Sequence, residues 1–510
     1  MADKIDSNIT GLAFAEEESL KTLPTTPIWY GLEPNSYSDF GGELTKMARS
    51  PIDPSRQNKK GTITDLTASG GFNIDVTQNN LTNLMQGFFF ADAREKVTTA
   101  PLNSAATVLT EVVASTKTYS AATGLVNFNK AGLLVKAEGF SIAGNNGLKT
   151  VASATTGTVV VSETCYDETP TAAAKLTVVG IQGTSADLAI SVTGDIPTLT
   201  SSALDFTTLG LIVGEWVFIG GDAANSSFAN NVGFARIKSI AAHAIVFDDT
   251  TFASVTEAGT GKTIRIFYGT VIKNESISAL IKRRSYNLER QLGYGISDTD
   301  VQAEYLEGAV ANEFTLNVPE ATKLNADLSF VACDNTHVSG DTGDTIKTGT
   351  RISSLGEDAF NTSSDIYRIK MSIVDDTDAT PSSLFAYVTE AKIAIKNSVT
   401  PNKAVGILGA FDTSIGNFDV SGSITAYFST VSAIQAIRNN SDVGFSTITA
   451  SKNAGFIFDI PLISLGGGRL SVEKDNPIKV PLESSGAQNA AGYTMLHNKF
   501  NYLPTIAMPQ

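Results

Sequence analysis

A short stretch early in the chain is echoed near its end, and the echo limits the folds open to it. The early copy reads Ser69-Gly70-Gly71-Phe72-Asn73-Ile74-Asp75-Val76-Thr77; the late copy reads Ser421-Gly422-Ser423-Ile424-Thr425-Ala426-Tyr427-Phe428-Ser429. Phe72, Ile74 and Val76 share one face, as do Ile424, Ala426 and Phe428, while the opposite face is mainly polar. Period two predicts a half-buried strand in each copy. Thr77 and Ser429 are placed to cap a following helix. Leu81, Leu84, Met85 and Phe88 give that helix an apolar stripe in the first copy, and Ile434 and Ile437 do so in the second. A strand-then-helix unit used twice implies a protein built by repetition rather than around one reaction.

The chain has 510 residues, enough for two to four domains with cores of their own. Its 43 glycines and its 17% charged residues fit a mainly β protein, with little room for long charged helices. The formal charge of -15 argues against a broad basic face for nucleic acid. It allows a wall past which DNA slides without sticking. Cys165 and Cys333 are too few and too far apart for a disulfide framework or a metal cluster. The opening residues lack the basic and apolar blocks of a secretory signal, and no apolar run is long enough for a membrane span. The expectation is a soluble chain made in a cytoplasm.

Composition divides the chain. Residues 1–104 read as an N-terminal arm, a first strand set and the helix. Within them, 34–61 reads as a long loop, punctuated by Pro34, Pro51, Pro54 and Gly41-Gly42. It carries Arg49, Arg56, Lys59 and Lys60, with Tyr37 and Phe40 interleaved. Such a loop is either a floppy surface hairpin or an arm that orders against a neighbouring subunit. Residues 105–269 turn to Ala, Thr, Gly and Ser and contain a repeat of their own. Gly132-Leu133-Leu134-Val135 followed by Glu138 matches Gly210-Leu211-Ile212-Val213 followed by Glu215, and Asn145-Asn146 matches Asn230-Asn231. Two small β-modules in tandem are expected there, inserted into the first domain. That domain resumes over 270–335, 336–350 reads as a linker, and 351–510 forms a last domain holding the second copy of the echo.

A search for reaction chemistry finds none. Ala258-Gly259-Thr260-Gly261-Lys262-Thr263 lacks the earlier glycine of a phosphate loop and leads into a strand, not a helix. His243, His337 and His497 stand alone, without a second ligand at metal-binding spacing. Asp375-Asp376-Thr377-Asp378 lacks the glycine and distal Glu of a calcium loop. Gly466-Gly467-Gly468 reads as a hairpin turn. No catalytic residue, metal or cofactor is expected.

Three segments resemble the start of the tail tube, or major tail, proteins of long-tailed bacteriophages. The first runs Gly11-Leu12-Ala13-Phe14-Ala15-Glu16-Glu17 and then Pro27-Ile28-Trp29-Tyr30-Gly31-Leu32-Glu33-Pro34-Asn35-Ser36-Tyr37. The others are Pro51-Ile52-Asp53-Pro54-Ser55-Arg56-Gln57-Asn58-Lys59-Lys60-Gly61 and Asp65-Leu66-Thr67-Ala68-Ser69-Gly70-Gly71-Phe72-Asn73. The resemblance implies two tube-type β-sandwich domains, each with a flanking helix, one sheet of which joins its neighbours' sheets to line a channel. It implies that the 34–61 loop packs on an adjacent ring, and that the inserted modules decorate the outside. It also implies partners: the tape-measure protein and DNA in the lumen, with tail terminator and distal tail proteins at the ends of a virion tail.

Residue-level reasoning reaches the same place separately. Closing sheets from several subunits into a barrel removes exposed edges. With two tube folds per chain, three chains would complete a pseudo-sixfold ring. A rival reading makes the inserted modules a host-surface or glycan-binding unit, which calls for clustered exposed aromatics. Aromatics there such as Tyr119, Phe140, Tyr166, Trp216 and Phe218 lie mostly at strand positions. Removal of the modules is expected to leave assembly intact.

Overall fold

A computed structural model describes residues 5, 7–52, 54–293, 302–339, 346–428, 430–451, 453–470, 472 and 474–509. The first half opens with β1 (Thr10–Glu16), β2 (Ile28–Leu32), β3 (Pro34–Met47), β4 (Thr62–Asp75) and helix α1 (Thr82–Phe89). An inserted segment follows. Its first part holds β5 (Leu109–Val113), β6 (Thr118–Ala121), β7 (Leu133–Glu138), β8 (Gly147–Ala154), β9 (Thr158–Val161) and β10 (Lys175–Gln182). Its second part holds β11 (Ala189–Thr193), β12 (Ile196–Thr200), β13 (Trp216–Ile219), β14 (Gly233–Ala241), β15 (Ala244–Thr250), β16 (Glu257–Ala258) and β17 (Arg265–Phe267). The first half then resumes with β18 (Thr270–Lys273), β19 (Tyr286–Leu292), β20 (Gln302–Pro319), β21 (Asn325–Ala332) and β22 (Asp334–Ser339).

The second half comprises β23 (Thr350–Ile352), β24 (Ile366–Ile373), β25 (Val388–Lys396), β26 (Thr400–Lys403), β27 (Ala410–Ser414) and β28 (Asp419–Tyr427). Helix α2 (Ser432–Arg438), β29 (Val443–Ser451), β30 (Ala454–Gly467), β31 (Lys479–Gly486) and β32 (Leu496–Phe500) complete it. The protein is mainly β, and the two halves share one strand plan.

In the first half β4 pairs with β3 and β21, β20 with β21, β19 and β22, and β1 with β19. In the second half β28 pairs with β25 and β31, β30 with β31, β29 and β32, and β24 with β29. Elements β1, β3, β4, α1, β19, β20, β21 and β22 thus correspond in order to β24, β25, β28, α2, β29, β30, β31 and β32. The register repeats as well. Pro34 faces Ile74 and Ser36 faces Asn73, with one residue skipped between them; Val388 faces Ala426 and Glu390 faces Thr425, with the same skip. Phe72 lies opposite Leu328 where Ile424 lies opposite Leu482.

Each half is a two-layer sandwich in which β20 or β30 serves both sheets, its early residues in one and its late residues in the other. Phe72, Ile74 and Val76 are buried between the sheets with Leu81, Leu84, Met85 and Phe88, and Ile424 and Leu482 occupy the same core. Phe314 of the first half stacks on Phe458 of the second at 5.9 Å, so one core spans both halves. In α2 the buried positions are Ala433 and Ala436; Ile434 and Ile437 are half-buried, and Phe428 is half-buried just beyond β28. The expected helix cap at Thr77 is not made: α1 begins after Leu81 without a side-chain cap. Asn80 instead closes a turn, accepting from the Thr77 N–H at 3.2 Å and donating to the Asp75 carbonyl at 2.7 Å. Ser429 lies outside the described residues.

Four other expectations are corrected. Residues 34–47, expected as loop, form a strand along β4; their polar and glycine-rich sequence carries no period-two signal. Asp334–Ser339, expected mostly as linker, is strand β22, because the chain resumes pairing with β20 after Cys333. Strand β18, expected in the first domain, pairs with β32 of the second half. Strand β23, expected to open the last domain, pairs in parallel with β2 of the first half. The halves are therefore stitched together in both directions.

The inserted segment contains two units with one element order: a hairpin, a short 3-10 turn, a strand, a second 3-10 turn, a second hairpin and a closing strand. The same buried clip holds each. Asn145 donates to the Tyr166 carbonyl and to Glu168, and accepts from the Tyr166 N–H. Asn231 donates to the Val255 carbonyl and to Glu257, and accepts from the Val255 N–H. Each glutamate accepts two further backbone N–H groups, Ser141 and Ile142 or Ala229 and Asn230. A buried Asn whose donors and acceptor are all used holds two loops at little cost.

The segment is fused to the second half. Leu134, Trp216, Phe218, Phe234 and Phe267 share a core with Ile448, Ile457, Phe500 and Leu503. Arg236 reaches the buried Asp459 at 3.2 Å, while on the first-half side Lys96 pairs with the buried Glu215 at 2.9 Å. Alternate residues of β30 thus face opposite ways: Phe456, Phe458 and Ile460 point into the sandwich, Ile457 and Asp459 toward the insert. Removing residues 105–269 would strip an apolar face bare, contrary to the sequence-based expectation of clean separability. A chain with that segment replaced by a short Gly-Ser link is expected to bind an apolar dye and sediment as aggregate; a soluble, monodisperse product would contradict the shared core.

His497 lies inside the sandwich, stacked on Phe458 at 4.4 Å. Burial, helped by Lys499, pushes its pKa from 6.5 down to about 3. Between those values the unfolded chain binds a proton there and the folded chain does not, so stability falls as pH drops, by at most ~1.4 kcal/mol per pH unit. His497→Gln is expected to shallow the acid limb of stability against pH, measured by chemical denaturation from pH 7 to 4.

Candidate assembly surface

One sheet runs without interruption through the whole chain, in the order β3-β4-β21-β20-β25-β28-β31-β30. Its inner face supplies the core, so alternation sends polar residues to the other face. There Asn35 donates to Asn73 at 3.0 Å and to Asp75 at 2.8 Å. Asn73 donates to Asn325 and Asp327 at 3.0 and 2.7 Å, and Asn317 donates to the same two at the same distances. This amide–carboxylate ladder crosses four strands. By register, the face continues through Lys392, Ser423 and Glu483.

Its carboxylates include Glu43, Asp65, Asp75, Glu313, Asp327, Glu390, Asp419 and Glu483; its lysines include Lys392, Lys396 and Lys479, and Lys323 reaches Asp75. Glu313 and Lys396 pair at 2.9 Å, which raises the Lys396 pKa. Lys403, from outside the sheet, reaches Asp65 and holds its carboxyl below the usual range. The face is polar and net acidic, with no cluster of three metal-binding side chains among the described residues.

The junction of the halves lies within this sheet. Glu313–Pro319 of β20 pair antiparallel with Lys396–Glu390 of β25. Asn397 ties the knot: its buried amide donates to the carbonyls of Phe88 at 3.0 Å and Ala311 at 3.1 Å. The hairpin β26–β27 then folds across the first half. Its Ala410 N–H donates to the Cys333 carbonyl at 3.0 Å, and Arg283 grips Asp412 and Thr413.

At its two ends the sheet is open. Among the described residues β3 pairs only with β4, and the end of β30 pairs only with β31. Tyr37 and Phe40 lie at the base of the β3–β4 hairpin, where Arg290 stacks over both, at 5.4 and 4.7 Å. Phe40 is buried and Tyr37 half-buried, so both anchor the strand from within. Arg49, Arg56, Lys59 and Lys60 stand apart from them on the exposed far end, which the Lys59 N–H closes on the Arg49 carbonyl at 3.1 Å. The expected interleaving of aromatic and basic side chains in one contact patch does not occur. The second hairpin differs in chemistry, exposing Val405, Ile407, Leu408 and Phe411.

Sequence reasoning missed the Asn397 knot and the ladder. The ladder left a trace, Asn or Asp at alternate positions of β4 and β21; the knot left none. Asn397→Ala is expected to cost about 2 kcal/mol by leaving buried carbonyls unsatisfied. Lys403→Ala should cost far less, because its pair with Asp65 is largely solvated. Denaturant midpoints of the two variants check the ranking.

No curated protein matches the chain. The model of a family described as phage tail tube protein matches residues 7–225 and matches again over 185–486. That second match accords with the repeated strand plan and with a sheet left open at both ends, and the chain belongs to the phage tail tube protein family.

Proposed function

We propose that three copies of this chain close into a ring with pseudo-sixfold symmetry, and that stacked rings form the conduit through which phage DNA leaves the virion. The observation that carries this reading is the β20–β25 junction. It joins two copies of one fold, side by side, within a single chain, and it leaves the corresponding edges free at both ends. Repeating the same step between chains closes the sheet, and three chains would contribute twenty-four lining strands. The net acidic polar face then lines the lumen, where it keeps DNA from adhering.

In this reading, residues 1–104 and 270–335 build the first tube unit and 351–510 the second, with strands exchanged at β18 and β23. The layers run from the lining sheet through the core and second sheet to the insert, an order that supports a position for the inserted modules on the outside of the tube. The tape-measure protein would share the lumen with DNA, and terminator and distal tail proteins would close the ends. The size of the chain points to a flexible, non-contractile tail, assembled in the host cytoplasm. A glycan-binding role for the insert gains little support: Tyr119, Phe140, Trp216 and Phe218 are buried, leaving Tyr166 as the exposed aromatic among them.

The mass of purified rings tests the proposal. Native mass measurement is expected to give three chains of 53.6 kDa. Rings of six chains, or a chain that stays monomeric at every concentration, would overturn it.

A further inference from the structure

The run Gly466-Gly467-Gly468 is not the hairpin turn its sequence predicts. Gly466 and Gly467 are the last residues of β30, paired with Glu483 and Leu482 of β31. In the repeated strand plan they stand where Glu313 and Phe314 stand in β20, which face Ser329 and Leu328 of β21. From that point β20 runs on to Pro319 with β25 along its other side. Strand β30 stops at Gly467 instead, and Gly467 and Gly468 turn away with φ of 79° and 77°.

Nothing within the chain calls for glycine at 466. Its φ is not positive, and a Cβ there would meet only the Glu483 carbonyl oxygen, at 3.8 Å. Glycine there leaves the strand edge open to another backbone. The other free edge, β3, is a strand of 14 residues whose one proline is its first residue. An edge of that length is a pairing template.

Resting on the ring reading above, we propose that Gly466–Gly468 is the docking edge for β3 of a second copy, antiparallel and in the register of the β20–β25 junction. In that junction Glu313, Phe314 and Thr315 face Lys396, Ile395 and Ala394. The β3 residues at the places of Lys396, Ile395 and Ala394 are Glu43, Gly42 and Gly41, through their partners Thr67, Ala68 and Ser69. Gly466 therefore meets Glu43 of the second copy, Gly467 meets its Gly42 and Gly468 meets its Gly41. Glycine faces glycine across the joint. The Glu313–Lys396 ion pair and the Asn397 knot of the internal junction have no counterpart there, so the copies are held by backbone hydrogen bonds, a mode of strand addition. Docking carries β30 past Gly467, and the glycines allow its backbone to leave the positive-φ conformation that ends it in the free chain.

Paired cysteines test the register. Residues opposite one another in an antiparallel ladder have Cα atoms within disulfide reach, and Glu43 and Gly466 both project onto the polar face. Oxidised rings of Glu43→Cys/Gly466→Cys are expected to run on a non-reducing gel as covalent oligomers up to the full ring. Thr45→Cys/Gly466→Cys, displaced by about 7 Å, should stay as single chains. Rings that form normally but cross-link only through the displaced pair, or through neither, would overturn this register and leave the ring reading standing. If the unsubstituted chain forms no rings, the ring reading itself fails. Ring formation by the reduced double variants, compared with the unsubstituted chain, keeps a failure to assemble distinct from a failure to cross-link.

Discussion

Everything in this molecule depends on the backbone pairing between Glu313–Pro319 and Glu390–Lys396. It makes one sheet out of two sandwiches, brings Phe314 against Phe458, and sets both copies of the fold at a fixed angle. Asn397 makes the pairing specific rather than merely adhesive, since two buried carbonyls from different elements of the first half rely on its one amide. Slippage by one residue would reverse every side chain across the junction, exposing Ile393 and Ile395 and burying Lys392.

The insert changes how the second half is covered. In the first half the outer sheet is closed by a small cluster around Trp29, Tyr305 and Ile346, with Arg351 bound to Glu289. In the second half the same face is closed by the inserted modules, through aromatic side chains and a buried arginine. A segment that reads as an appendage in sequence is thus a structural layer. The internal clip of each module keeps its own loops in place without drawing on that interface.

How much of this was legible in the sequence varied with the physics involved. The echoed strands were visible because Phe72/Ile74 and Ile424/Ala426 alternate with polar residues at the boundary between core and polar face. Strand β3 was invisible, since its apolar residues, Tyr37, Phe40, Leu44 and Met47, fall out of step with a period of two and its partner along β4 supplies the order. In α2, Ile437 packs half-buried against the core, while Ala433 and Ala436, which carry no apolar signal as strong as isoleucine, are the buried positions because their small size lets the helix lie close. The exchange of β18 and β23 between halves could not be read at all: three or four residues of strand carry no address, and their place is set by the elements they lie between. The triglycine misled for a related reason, since glycine runs mark both turns and close approaches.

The last strand has a consequence for timing. Strand β32 contributes Phe500 to the core shared with the insert and pairs with β18, which precedes it by more than two hundred residues of sequence. Contacts so distant form late and slowly. On the ribosome the insert would therefore stay unsealed, and the second half still adjusting, until β32 emerges. A product that stops short of β32 lacks the strand that pairs with both β18 and β30, and so leaves the core shared with the insert open. Loss of β32 would therefore unseat the insert and loosen the second half together.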